Sequence, residues 1–137
     1  MNAGKRILVV EMDPVVNGWL CQLLRASAFQ VSVAGSLRET LMRLSSSGDF
    51  AAVICDSSLP DVTWPELLAG LRSIQNTHVP VLLTSANWFH SELPELGVEL
   101  LAKPFNAAQL LAALDHLLRV SRPPEMAARN FAHQYRH

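Results

Sequence analysis

The chain has 137 residues, half of them hydrophobic and 17% charged, with a formal net charge of −1. That length suits one domain with a core of its own, the composition is too apolar for a disordered chain, and the charge provides no positive field for nucleic-acid phosphates. Cys21 and Cys55 lie far apart in apolar runs and read as buried, inert thiols; no charged-then-apolar leader opens the sequence and no apolar run approaches a membrane span, so a cytoplasmic location is expected.

Arg6 to Val10 is short, β-branched and uniformly apolar after its arginine, the signature of a central parallel strand buried on both faces. Pro14 suits the first turn of a helix, and Trp19, Leu20, Leu23 and Leu24 continue at helical spacing, predicting a helix to about Ala28. Val31 and Val33 mark a brief second strand. Ser36 and Glu39 then read as a capping box opening a helix with Leu37, Leu41 and Leu44.

Ala51 to Cys55 is a third apolar run, closed by Asp56 and followed by the turn-rich stretch Ser57 to Asp61. A helix is predicted over roughly Pro65 to Ile74 and a fourth strand over Val79 to Thr84, ended by Ser85. Between Asn87 and Gly97, Pro94 leaves room for a short helix at most. Glu99 to Ala102 reads as a fifth strand, and Asn106 with Gln109 caps an amphipathic helix carrying Leu110, Leu111, Leu114, Leu117 and Leu118 to about Val120. Pro123 and Pro124 break the pattern, so residues 1–121 are expected to form the domain and 122–137 a polar tail. Strict alternation of strand and helix predicts a doubly wound α/β fold with a parallel sheet.

In such sheets ligands bind beyond the carboxyl ends of the strands, beside the point where strand order reverses. Glu11 and Asp13 follow the first strand, Asp56 the third, Ser85 the fourth and Lys103 the fifth. One carboxylate after a strand is usually a loop residue or a helix cap. Polar groups at four strand ends point instead to a common site.

Four segments carry a specific likeness: Ile7-Leu-Val-Val-Glu-Met-Asp-Pro14, Val53-Ile-Cys-Asp-Ser-Ser-Leu-Pro60, Pro80-Val-Leu-Leu-Thr-Ser-Ala86 and Lys103-Pro-Phe105. In order and spacing they resemble the receiver domain of bacterial two-component response regulators over about residues 5 to 120. The resemblance implies a flavodoxin-like sheet of five strands in the order 2-1-3-4-5. It implies that Asp56 is the phosphoacceptor, taking a phosphoryl group from a histidine kinase or phosphotransfer protein, with Lys103 and the Ser85 hydroxyl on the phosphoryl oxygens. It also implies Mg²⁺ held by Glu11, Asp56 and the Ser58 backbone carbonyl, with Asp13 as a further candidate.

The sequence departs from the family pattern at several positions. Met12 stands where the second acid of the metal-binding pair is usual, and a soft, uncharged thioether suits Mg²⁺ poorly, so a weak or absent metal is expected. Trp64 replaces the usual glycine before the third helix, and Leu100 replaces the usual switch aromatic. The interval from Ser85 to Lys103 is several residues short and holds Trp88-Phe-His90, predicting a shortened fourth-helix region that is either a partner surface or rings folded over the core. The histidines show no ligand spacing, and His116 is expected to face solvent.

Two functions follow from the resemblance. One is a phosphorylatable receiver that switches protein contacts with a downstream effector, without direct nucleic-acid or membrane binding and with a homodimer among the assemblies allowed. The alternative is a phosphorylation-independent module that keeps the fold and reads a partner by contact alone. An aspartyl phosphatase would want an acid two residues after Asp56, where Ser58 stands, and a flavin-binding protein would want a phosphate cradle after the first strand, where Glu11 and Asp13 repel phosphate. No effector segment is read after the tail, so output is expected to pass through another protein.

Overall fold

The computed structural model describes residues 4–46, 49–59, 63–73, 79–86 and 97–120, with the side chains of Trp64 and Leu68 excepted. The expected tail, the segment around Trp88 and Pro94, and the far end of the third predicted helix lie outside the described residues.

The described residues form, in chain order, β1 (Arg6–Val10), α1 (Pro14–Ala26), β2 (Gln30–Ala34), α2 (Leu37–Ser46), β3 (Phe50–Asp56), α3 (Trp64–Arg72), β4 (Val81–Ser85), β5 (Val98–Ala102) and α4 (Ala107–Val120), strand and helix alternating as far as β4. All strand pairs are parallel and the sheet order is β2-β1-β3-β4-β5, as the resemblance implies. Order therefore reverses between β1 and β3, which opens a crevice at their carboxyl ends.

Period-two alternation divides the buried strand residues between two cores. Leu8, Val10, Val53, Cys55, Val81 and Leu83 pack with Leu44, Leu67 and Leu71 of α2 and α3. Ile7, Val9, Ala52, Ile54 and Leu82 pack with Leu20 and Leu24 of α1 and Leu110, Leu114 and Leu117 of α4. Apolar runs without polar alternation are what a sheet covered on both sides requires.

Local chemistry sets the helix ends. At α4, Asn106 Oδ1 accepts from Gln109 N and Gln109 Oε1 accepts from Asn106 N, both at 2.8 Å, the reciprocal box read from the sequence. At α2, Ser36 Oγ accepts from Glu39 N at 3.0 Å, but Glu39 Oε1 reaches past the cap to Gly35 N at 2.8 Å. Thr63 and Glu66 form a further capping box on α3, placing that helix's start one residue before the predicted Pro65. Helix α1 ends at Ala26, short of the predicted Ala28, because Phe29 N donates to Leu24 O and Ala28 N to Arg25 O. That pair of bonds closes the helix through a left-handed residue, here Ala28 at φ 73.

Candidate functional site

Each polar residue singled out at a strand end lies at the carboxyl edge of the sheet, and three of them meet. Asp56 ends β3, where only 8% of its surface is exposed, and Glu11 follows β1 with 5% exposed. Lys103, the residue after β5, bridges them: its Nζ stands 3.4 Å from Asp56 Oδ1 and 3.5 Å from Glu11 Oε1. Two buried carboxylates thus share one ammonium, and a lysine only partly withdrawn from water bears the smaller desolvation cost.

Backbone pairing delivers these groups. Val10 pairs with Cys55 across β1 and β3, so the residues that follow, Glu11 and Asp56, share the crevice. Lys103 N donates to Ser85 O at 2.7 Å, continuing the β4–β5 ladder and tying the lysine to the end of β4. Lys103–Pro104 is a cis peptide, and Phe105 beyond it lies against the α1/α4 core, its ring centroid 5.9 Å from that of Trp19.

Ser85 is almost fully buried beside Thr84, whose Cα is the register partner of Asp56. Ser58 engages Asp56 directly: its N–H donates to Asp56 Oδ1 at 3.2 Å, and its Oγ lies 3.0 Å from both Oδ1 and Oδ2. The sequence reading missed that side-chain contact, although an Asp followed two residues later by a hydroxyl is a known local hydrogen-bonding pattern. Asn17 was also missed; its Nδ2 donates to Glu11 O at 3.0 Å and its Oδ1 accepts from Cys21 Sγ at 3.3 Å, steadying the backbone at Glu11 from α1.

Asp13 is turned to other work. Its Oδ1 caps α1 by accepting from Val15 N at 2.9 Å and Val16 N at 3.5 Å, while its own N–H donates to Glu11 Oε2 at 3.1 Å. A helix amino terminus is a favourable place for that charge. Met12 between the two acids is half exposed. His116 is exposed, as expected, and pairs with Glu99 at 2.9 Å. Leu100, at the expected switch position, packs against the α2/α3 core.

Both cysteines are buried, as expected. Burial pushes the Cys55 thiol well above the ordinary thiol range, and the neighbouring charges of Asp56 and Glu11 push it further. A buried thiol raised in this way is a poor nucleophile.

Glu11, Asp56 and the Ser58 carbonyl are hard oxygen donors of the kind Mg²⁺ accepts, two carboxylates being the usual protein share. The donor set fits the ion but is lean, since among the described residues no three His, Cys, Asp or Glu side chains converge to hold a metal. Among the same residues no helix is long and apolar enough to cross a membrane.

Comparison with known proteins agrees with this geometry. The profile of the response regulator receiver domain matches residues 7–115. The chain is 32% identical over 133 residues to the transcriptional regulatory protein TcrA of Mycobacterium tuberculosis, covering 92% of this chain and 52% of that protein. It is 28% identical over 122 residues to the chemotaxis protein CheY-3 of Vibrio cholerae, covering 85% and 94% respectively. The chain thus spans about half the length of TcrA and nearly all of CheY-3. Among solved structures, the receiver domain of the hybrid histidine kinase CckA superposes with a TM-score of 0.71 at 29% identity, over 82% of this chain and 98% of that one. The response regulator TrrA of Thermotoga maritima, solved in complex with Mg²⁺ and BeF, gives 0.71 at 25% identity over 82% and 98%. A match spanning sheet, crevice and lysine together leaves one assignment: the chain belongs to the response regulator receiver domain family, the phosphoacceptor domains of two-component signalling.

Proposed function

We propose that Asp56 is the residue that accepts the phosphoryl group, and that the receiver unit occupies residues 1–121 with 122–137 as a tail. The observation that carries this reading is the buried Asp56 carboxylate held against Lys103 in the crevice between β1 and β3. An Asp56 oxygen attacks the phosphorus of a phosphohistidine on a sensor kinase or phosphotransfer protein. A P–O bond forms, the P–N bond breaks, and its electron pair returns to the imidazole nitrogen, leaving an acyl phosphate.

A carboxylate approaching an anionic phosphoryl group meets repulsion, so positive charge must lie over the equatorial oxygens. Lys103 supplies one charge and the Ser85 hydroxyl one donor. Mg²⁺, held by Glu11, Asp56 and the Ser58 carbonyl, would add charge neutralisation; with Met12 in place of an acid its affinity is weak. Glu11 otherwise keeps Lys103 positioned between phosphotransfers. Phosphorylation changes the face from β4 to α4, and the signal passes to an effector protein by contact, without nucleic acid or membrane.

A second reading, a receiver that works without phosphate, draws on the exposed Met12 and the lean donor set. Titration of beryllofluoride and Mg²⁺ into wild type, Asp56→Asn and Met12→Asp separates the two. Trp19 against Phe105 gives a fluorescent reporter two residues from Lys103. Saturable, Mg²⁺-dependent change in wild type that disappears in Asp56→Asn supports the phosphoacceptor; silence in wild type with response restored by Met12→Asp supports the phosphate-independent module.

A further inference from the structure

The two oxygens of Asp56 are not equivalent. Oδ1 faces Lys103 Nζ at 3.4 Å and the Ser58 N–H at 3.2 Å, so backbone and ammonium hold it. Among the described residues, the one group within hydrogen-bond distance of Oδ2 is the Ser58 hydroxyl, which is also 3.0 Å from Oδ1. A hydroxyl has a single proton and shares it between these two acceptors. Oδ2 is therefore the oxygen released most simply for attack, and the Ser58 side chain is what must let it go.

We infer that the Ser58 hydroxyl is a positioning latch on the nucleophile: it stabilises the unmodified Asp56 carboxylate and opposes phosphoryl uptake. The inference rests on Asp56 being the acceptor. In the free state the hydroxyl bonds a full carboxylate charge, a stronger contact than one to a neutral acceptor. Once Oδ2 carries a phosphoryl group, that oxygen is a bridging ester-like atom of low basicity, and the contact that remains, to Oδ1, is to a neutral carbonyl and is weaker. An interaction stronger in one state than in the other biases the equilibrium by the difference.

Ser58 lies at the exposed rim of the site, so its rotation is fast and costs no repacking. The latch thus acts through the fraction of molecules with Oδ2 free. A charge-assisted bond partly open to water corresponds to a factor of roughly three to ten in that fraction. The bland alternative is a turn residue whose hydroxyl merely satisfies the local backbone. The alternatives differ in sign, because loss of a supporting residue weakens ligand binding and loss of a latch strengthens it.

The test is beryllofluoride affinity at fixed Mg²⁺, read by fluorine NMR of the bound anion, for wild type, Ser58→Ala, Ser58→Thr and Asp56→Asn, with urea midpoints to show that each folds. The expected result is binding about three- to tenfold tighter in Ser58→Ala, near-wild-type binding in Ser58→Thr, which keeps the hydroxyl, and none in Asp56→Asn. Binding in Ser58→Ala equal to or weaker than wild type overturns the latch while leaving the acceptor standing. Silence in both wild type and Ser58→Ala overturns the latch together with the acceptor reading, whereas binding by Ser58→Ala alone supports both.

Discussion

Replacing Lys103 with Met removes the cation shared by two buried carboxylates. At 3.4 Å and an effective dielectric near 20, each ion pair has a gross Coulomb energy of roughly 5 kcal/mol. Most of that is offset by the cost of withdrawing the ions from water, and the lysine's partial exposure screens the remainder. The net loss of stability in Lys103→Met at neutral pH is then about 1–2 kcal/mol, which lowers the urea midpoint by about 1 M at an ordinary slope. Equilibrium urea unfolding of wild type, Lys103→Met, Glu11→Gln and the double variant measures it. Glu11→Gln is expected to destabilise wild type but to be neutral or stabilising beside Lys103→Met, where it removes an uncompensated charge. Additive effects, with no coupling between positions 11 and 103, would refute the shared-cation account.

Other outcomes follow from the same structure. Ala28→Gly is expected to stabilise the protein by about 1 kcal/mol, since Ala28 holds a left-handed backbone at the end of α1; an unchanged melting temperature would contradict that reason. The Thr63 N–H and then its hydroxyl hold the Glu66 carboxyl below the ordinary carboxylate range, so its contribution is present above that range and is lost as pH falls through the lowered value. Glu66→Ala should accordingly be less stable than wild type near neutrality and converge with it in acid, as melting curves across pH would record. Burial and the adjoining carboxylates raise the Cys55 thiol, so its contribution is complete below the ordinary thiol range and is lost as pH rises through and above it. In Cys21→Ala at pH 8, an aromatic disulfide reagent should modify Cys55 only as fast as the protein unfolds; reaction within seconds would show an accessible thiolate.

Much of the architecture was legible because apolar runs between turn signals are what a doubly covered parallel sheet requires. Asp56, Ser85 and Lys103 stood out as polar residues closing such runs. Their meeting was not legible, because the distance between Lys103 and Glu11 depends on strand order and register across 92 residues of chain. Two local errors have local causes. Helix α1 was extended to Ala28 because alanine is no stop signal in sequence, although here it takes the left-handed position glycine usually fills. The Thr63–Glu66 box escaped notice behind Pro65, though Thr-x-x-Glu is the same pattern as Ser36 and Glu39. Asp13 was weighed as a metal ligand, but Asp before Pro is also a cap followed by a first-turn residue, and that role takes its Oδ1.

Intact-mass spectrometry after incubation with Mg²⁺ and a small phosphodonor such as phosphoramidate reads directly whether Asp56 accepts phosphate. The expected result is a gain of one phosphoryl group, mapped to Asp56 and absent from Asp56→Asn. A wild type that stays unmodified while Met12→Asp becomes phosphorylated, or a phosphoryl group found on any other residue, would contradict it.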